Sequence, residues 1–139
     1  MSNEVIAALV ASIIALASAG MGFYFSSIQH EKNFRLQSKF LLAEKKLEIY
    51  VNYMTSVNQS WAQYKVTENV NGALRQKGID SFEALRVLAP ALVEEKATIL
   101  NGYFIQLFPG YEITDEVNDA FNLAFYELKI EVQKEFIVE

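Results

Sequence analysis

From Val5 to Ile28 the chain carries no charge, and from Leu36 onward apolar residues recur in steps of four and three between charged and amide side chains. The first pattern, 24 residues long, spans about 36 Å as a helix, enough to cross a hydrocarbon core of about 30 Å with some tilt. It predicts a transmembrane helix within residues 1–30. Ala17-Ser18-Ala19 before Gly20 resembles a signal-peptidase site. Against that, the segment lacks a basic leader, and the apolar run continues through Met21, Phe23, Tyr24 and Phe25.

On a helical wheel the span sorts into two faces. Ala8, Ser12, Ala15, Ser18, Ala19, Gly22 and Ser26 share one side with Ala7 and Ala11, while Ile6, Leu9, Val10, Ile13, Ile14, Leu16, Met21, Phe23 and Tyr24 occupy the other, with Phe25 at the border and Ala17 and Gly20 as exceptions. Lipid supplies no reason to segregate small from large apolar residues, so a small face points to close helix–helix approach.

The second pattern runs through Leu36, Phe40, Ala43, Leu47, Tyr50, Met54, Val57, Trp61 and Tyr64, a heptad-like seam that packs either against another chain or within its own domain. Traced backward in the same steps, it passes through Asn33, Gln29, Ser26, Gly22, Ala19, Ala15, Ser12 and Ala8. No proline precedes Pro90, and no glycine lies between Gly22 and Gly72. One helix is therefore expected from about residue 4 to about 66. Gln29 and Asn33 are either register-fixing amides in the seam or a solvated interfacial turn.

Beyond it, Asn69 to Ser81 reads as a loop covering about 67–80. Asp80 and Glu83 have capping-box spacing for a helix over about 81–89, and Pro90 either kinks that helix or falls in the first turn of another, about 90–108. Leu92, Ile99, Tyr103 and Leu107, with Leu100 and Phe104, form its expected core face. Thr114 caps a last helix, about 114–137, whose core face is Val117, Phe121, Ala124, Phe125, Leu128 and Val132. The expected fold is all-α: an N-terminal transmembrane helix continuous with a long cytoplasmic helix, plus a small helical bundle, with residues 31–139 forming the cytoplasmic domain.

Charge refines this picture. Residues 30–77 carry eight Lys or Arg against four Glu, whereas residues 78–139 carry four against twelve Asp or Glu. Lys32, Arg35, Lys39, Lys45 and Lys46 follow the span and only Glu4 precedes it, so the N-terminus is expected outside and the rest in the cytoplasm. The acidic distal half argues against direct nucleic-acid binding. Zero Cys and a single His, His30, remove thiolate chemistry and the usual metal-ligand spacings, so no catalytic residue, metal or cofactor is expected. Glu127, Glu131 and Glu135 share a helix face, either as a solvated strip or as an acidic docking surface.

A single span running into a long helix with Lys45-Lys46-Leu47-Glu48-Ile49-Tyr50, followed by a compact helical domain, resembles small bacterial membrane proteins, some found in phage-defence loci. Among them is the membrane accessory protein of type VI CRISPR systems. The resemblance covers Val5 to Tyr64 at the level of pattern. It implies a bacterial inner-membrane location, a ring-shaped pore and a domain like those of HEPN nucleases. The chain lacks the Arg-x4-6-His dyad of active HEPN nucleases, since His30 precedes Arg35, Arg75 and Arg86; nuclease activity is not implied.

The expected function is a homo-oligomeric, single-span membrane protein that forms a pore or perturbs the membrane. Its partners are the lipid bilayer, further copies of itself and a cytoplasmic protein. The alternative is a membrane-tethered helical adaptor that recruits such a partner.

Overall fold

The computed structural model describes residues 3–137. These form four helices, α1 (Asn3–Thr67), α2 (Gly72–Leu88), α3 (Ala91–Phe104) and α4 (Asp115–Phe136). The chain divides into two compact units, residues 1–42 and 43–139. In the first, α1 stands alone. Its side chains from Val10 to Leu42 are exposed, apart from a half-buried Ile28.

The second unit is a four-helix bundle begun by the C-terminal part of α1. Tyr53 donates its hydroxyl to the Ala97 carbonyl at 3.1 Å and tilts its ring against Phe82, which ties α1 to α3 and α2. Tyr50 meets Phe136, and Trp61 stacks on Phe121 with ring centroids 3.9 Å apart, so α1 and α4 run antiparallel. Trp61 also donates its indole N–H to Asn118 at 3.2 Å, which satisfies the one polar atom of a buried ring. Leu85, Leu100 and Leu128 complete an interior dominated by aromatic rings.

α1 ends where Glu68 adopts φ 53°, the left-handed conformation common just past a helix C-terminus. The expected loop over 67–80 is much shorter. Asn71 accepts hydrogen bonds from the backbone N–H of Ala73 and Leu74, and α2 starts at Gly72. Asp80, read as a cap, lies inside α2 and accepts from Gln76 at 2.8 Å. Gly78 is a contact residue and not a turn: a Cβ there would lie 2.7 Å from the Phe104 ring.

Ala89 is extended (φ −80°, ψ 147°), as a residue before proline prefers. Pro90 is the N-cap of α3 instead of its first-turn residue. That helix stops at Phe104, short of the expected 108. Arg75 reaches across from α2 to donate to the carbonyls of Leu107 (2.7 Å) and Ile105 (3.2 Å), and stacks on Phe108. The buried face of α3 is Val93, Ala97, Leu100 and Phe104, whereas the expected core residues Leu92 and Ile99 are exposed. α4 begins as expected, with Thr114 Oγ accepting from the Val117 N–H at 3.3 Å.

Candidate functional site

The region to weigh is α1 itself, the one described helix long and apolar enough to cross a membrane. Ala8, Ser12, Ala15, Ser18, Ala19, Gly22, Ser26, Gln29 and Asn33 are all helical and all exposed. Ser12 returns its hydroxyl to the Ala8 carbonyl at 2.9 Å, which removes an unpaired donor from an apolar stretch. Apart from the local helix backbone and the chain neighbours, no described atom lies within 4 Å of the Cβ position of Gly20 or Gly22. Within one chain, then, nothing uses the closeness that these glycines permit.

The seam divides at the start of the bundle. Leu36 is 64% exposed, Phe40 71% and Leu47 45%, while Tyr50, Val57 and Trp61 are buried and Met54 packs at the core's edge. From Tyr50 onward the seam's partner is the chain's own α4 and α3; Leu47 borders the end of α4, and Leu36 and Phe40 stay exposed among the described residues. Tyr53, Ser56 and Ser60 are buried beside it, which widens the core face of α1 beyond a two-position seam. Ser56 donates to the Asn52 carbonyl at 2.7 Å, and Ser60 Oγ has no partner. A strict four-and-three pattern of large apolar residues misses all three, because two are serines and Tyr53 lies off the seam.

Glu135 sits at this division. It accepts from Lys46 Nζ at 2.6 Å and from the Tyr50 hydroxyl at 2.7 Å. Burial pushes the Tyr50 phenol up, and its hydrogen bond to the Glu135 carboxylate and that carboxylate's charge push it further. Burial alone pushes Tyr53 up. Glu127 accepts from Lys96 at 2.8 Å and Glu131 from Lys134 at 2.7 Å. The hydrogen bond to Glu127, aided by that carboxylate's charge, raises Lys96. The three glutamates of the acidic strip thus each hold a lysine, which leaves little net charge there for a basic partner.

Two hollows flank the end of this region. A polar one of about 230 Å³ is bordered by Tyr64, Lys65, Glu68, Tyr111, Glu112 and Ile113. The Tyr64 hydroxyl there is engaged with the Phe108 and Tyr111 carbonyls, and Lys65 with Asn118. An apolar groove of about 510 Å³ lies between Leu47 on α1 and Val132, Gln133, Phe136 and Ile137 at the end of α4. Among the described residues no group of three His, Asp or Glu side chains converges to hold a metal, and His30 is exposed on α1.

The chain is a membrane-associated helical protein with, among the described residues, one candidate membrane-spanning helix near its N-terminus and a helical bundle. Comparison with protein-family models, curated proteins and solved structures yields no match.

Proposed function

We propose that the protein is a homo-oligomeric, single-pass membrane protein whose spans pack through their small residues and whose output is membrane permeation, with the bundle in the cytoplasm. The observation that carries this reading is the exposure of Leu36 and Phe40 beyond an apolar run whose small residues keep the same sequence phase. Outside lipid, large apolar side chains in that number require a partner. Within lipid, a face of Ala, Ser and Gly permits close helix approach. Gln29 and Asn33 would ring the mouth of the assembly, where amides pair with copies of themselves because each side chain both donates and accepts. The resemblance to phage-defence membrane proteins supports a role in such a response.

The test pairs two measurements on purified full-length protein. The particle mass in nanodiscs should be a multiple of the chain's 15.8 kDa, and dye-loaded liposomes carrying the protein should leak. Gly22→Leu should suppress leakage by crowding the small face. A monomeric mass, or tight liposomes with the wild type and Gly22→Leu alike, would remove the reading. Membrane tethering of a recruited partner is the rival, and the pairing of Glu127, Glu131 and Glu135 with lysines weakens it.

A further inference from the structure

The charges along the exposed stretch of α1 are of two kinds. Arg35 holds Glu31 at 2.6 Å and Lys45 holds Glu48 at 2.8 Å, at the four- and three-residue spacings where side chains of one helix meet. Lys39 and Glu44 are exposed and have no ion-pair partner among the described residues. Their own helix offers them none. At those spacings the only charge near Lys39 is Arg35, and the only one near Glu44 is Glu48, so each lies beside a like charge. Lys39 and Glu44 cannot reach each other, because five residues carry them to different sides of the helix.

Both flank the exposed part of the seam. The steps from Leu36 to Phe40 to Ala43 make Phe40 an a position and Leu36 and Ala43 d positions of a heptad. Lys39 then sits at g and Glu44 at e, the flanks that face a neighbouring helix in a coiled coil. In a parallel, in-register pair, g of one helix lies against the e residue five positions later in the other. Lys39 and Glu44 have that separation.

We infer that residues 29–44 of α1 pack against the same stretch of a second copy as a parallel, in-register coiled coil, with Lys39 of each helix paired to Glu44 of its neighbour. The inference rests on the homo-oligomeric reading and gives it an interface outside the small-residue span.

The charges select both the occupant and its direction. One α1 carries the ammonium and the carboxylate at the spacing an identical parallel helix needs, so the surface complements itself. An antiparallel copy would bring g against g, and both g residues beside the exposed seam, Lys32 and Lys39, are lysines. Identical spans follow the same flanking-charge rule and enter a bilayer with one orientation, which makes their α1 helices parallel. The next g residue, Lys46, is held by Glu135 of its own chain at 2.6 Å, and the e residue that would face it, Val51, is apolar. The run of pairs between chains therefore ends at Glu44, where the bundle takes over.

Charge reversal in the full-length protein tests the pairing. Copies with donor or acceptor fluorophores on a C-terminal tag are reconstituted in liposomes, and energy transfer reads their association. Lys39→Glu and Glu44→Lys each set like charges across the contact, and either alone should lower transfer severalfold. Mixed together they should exceed either alone severalfold, because each supplies the charge the other lacks. The protein carrying both substitutions should regain wild-type transfer. Lys129→Glu, the same charge change at an exposed site on α4, should leave transfer unchanged, and all four variants should keep the wild-type circular-dichroism melt. Wild-type transfer in every variant, or loss in the single variants without gain in the mixture, would overturn the pairing and leave the assembly reading standing. Wild-type transfer no higher than that of an unrelated single-span protein would remove both.

Discussion

Lys46 and Glu135 lie 89 residues apart in sequence and 2.6 Å apart in space. Both side chains are about four-fifths buried, and the carboxylate's second oxygen takes the Tyr50 hydroxyl. This pair fastens the last turn of α4 to α1 where the bundle begins.

Its loss is unequal from the two sides. Lys46→Ala leaves Glu135 with the Tyr50 hydroxyl and costs about 1–2 kcal/mol, while Glu135→Ala strands an ammonium and a phenol and costs about 2–4 kcal/mol. Thermal melts of the two variants check the order; equal midpoints would contradict it.

Tyr50 and Tyr53 set the alkaline limit. An exposed phenol ionises near about pH 10, but both are held protonated in the fold. The folded state therefore binds more protons than the unfolded one above that pH, so stability falls as pH rises and is fully present below it. A melt series from neutral to strongly alkaline pH should show the midpoint dropping from about pH 10 upward. Tyr50→Phe together with Tyr53→Phe should flatten that decline.

Two helical glycines should respond to alanine in opposite directions. Gly78→Ala places a methyl 2.7 Å from the Phe104 ring and should destabilise by about 1–3 kcal/mol despite the better helix propensity. Gly102→Ala meets nothing within 4 Å and should stabilise by about 0.5–1 kcal/mol. Denaturant midpoints give both signs, and Phe104→Leu should relieve part of the Gly78→Ala penalty.

The divided seam makes a further contrast. Trp61→Ala removes a ring stacked at 3.9 Å on Phe121 and should cost about 3–5 kcal/mol. Phe40→Ser, at a site 71% exposed, should move the melt by less than about 0.5 kcal/mol while lowering the particle mass. A Phe40→Ser melt as damaged as that of Trp61→Ala would show that the exposed stretch packs within its own chain.

The all-helical architecture was legible because hydrophobic period and caps act locally: α1, the Thr114 cap and the core face of α4 all follow from neighbours within a turn or two. α2 was misjudged because Gly72 and Gly78 look like breakers. An amide at Asn71 and a ring from another helix decide what those glycines do. On α3 two four-and-three registers compete, and the one with smaller side chains, Val93 and Ala97, is the buried one, on the helix whose Ala97 carbonyl accepts from Tyr53 of α1. The division of the seam at Tyr50 leaves no mark on the period at all, since a lone helix and a bundled helix share the same geometry. Likewise, the lysines that hold Glu127 and Glu135 come from α3 and α1, out of reach of any local pattern.

The stack of Trp61 on Phe121 also fixes an order of events during synthesis. Trp61 and Tyr50 are made early, but Phe121 and Phe136, which cover them, come from α4, translated about 60 residues or more later. At a synthesis rate of roughly 5–20 residues per second, the aromatic face of α1 stays wet for several seconds. The apolar run has by then been made, so this candidate span is available to a membrane before the bundle can close.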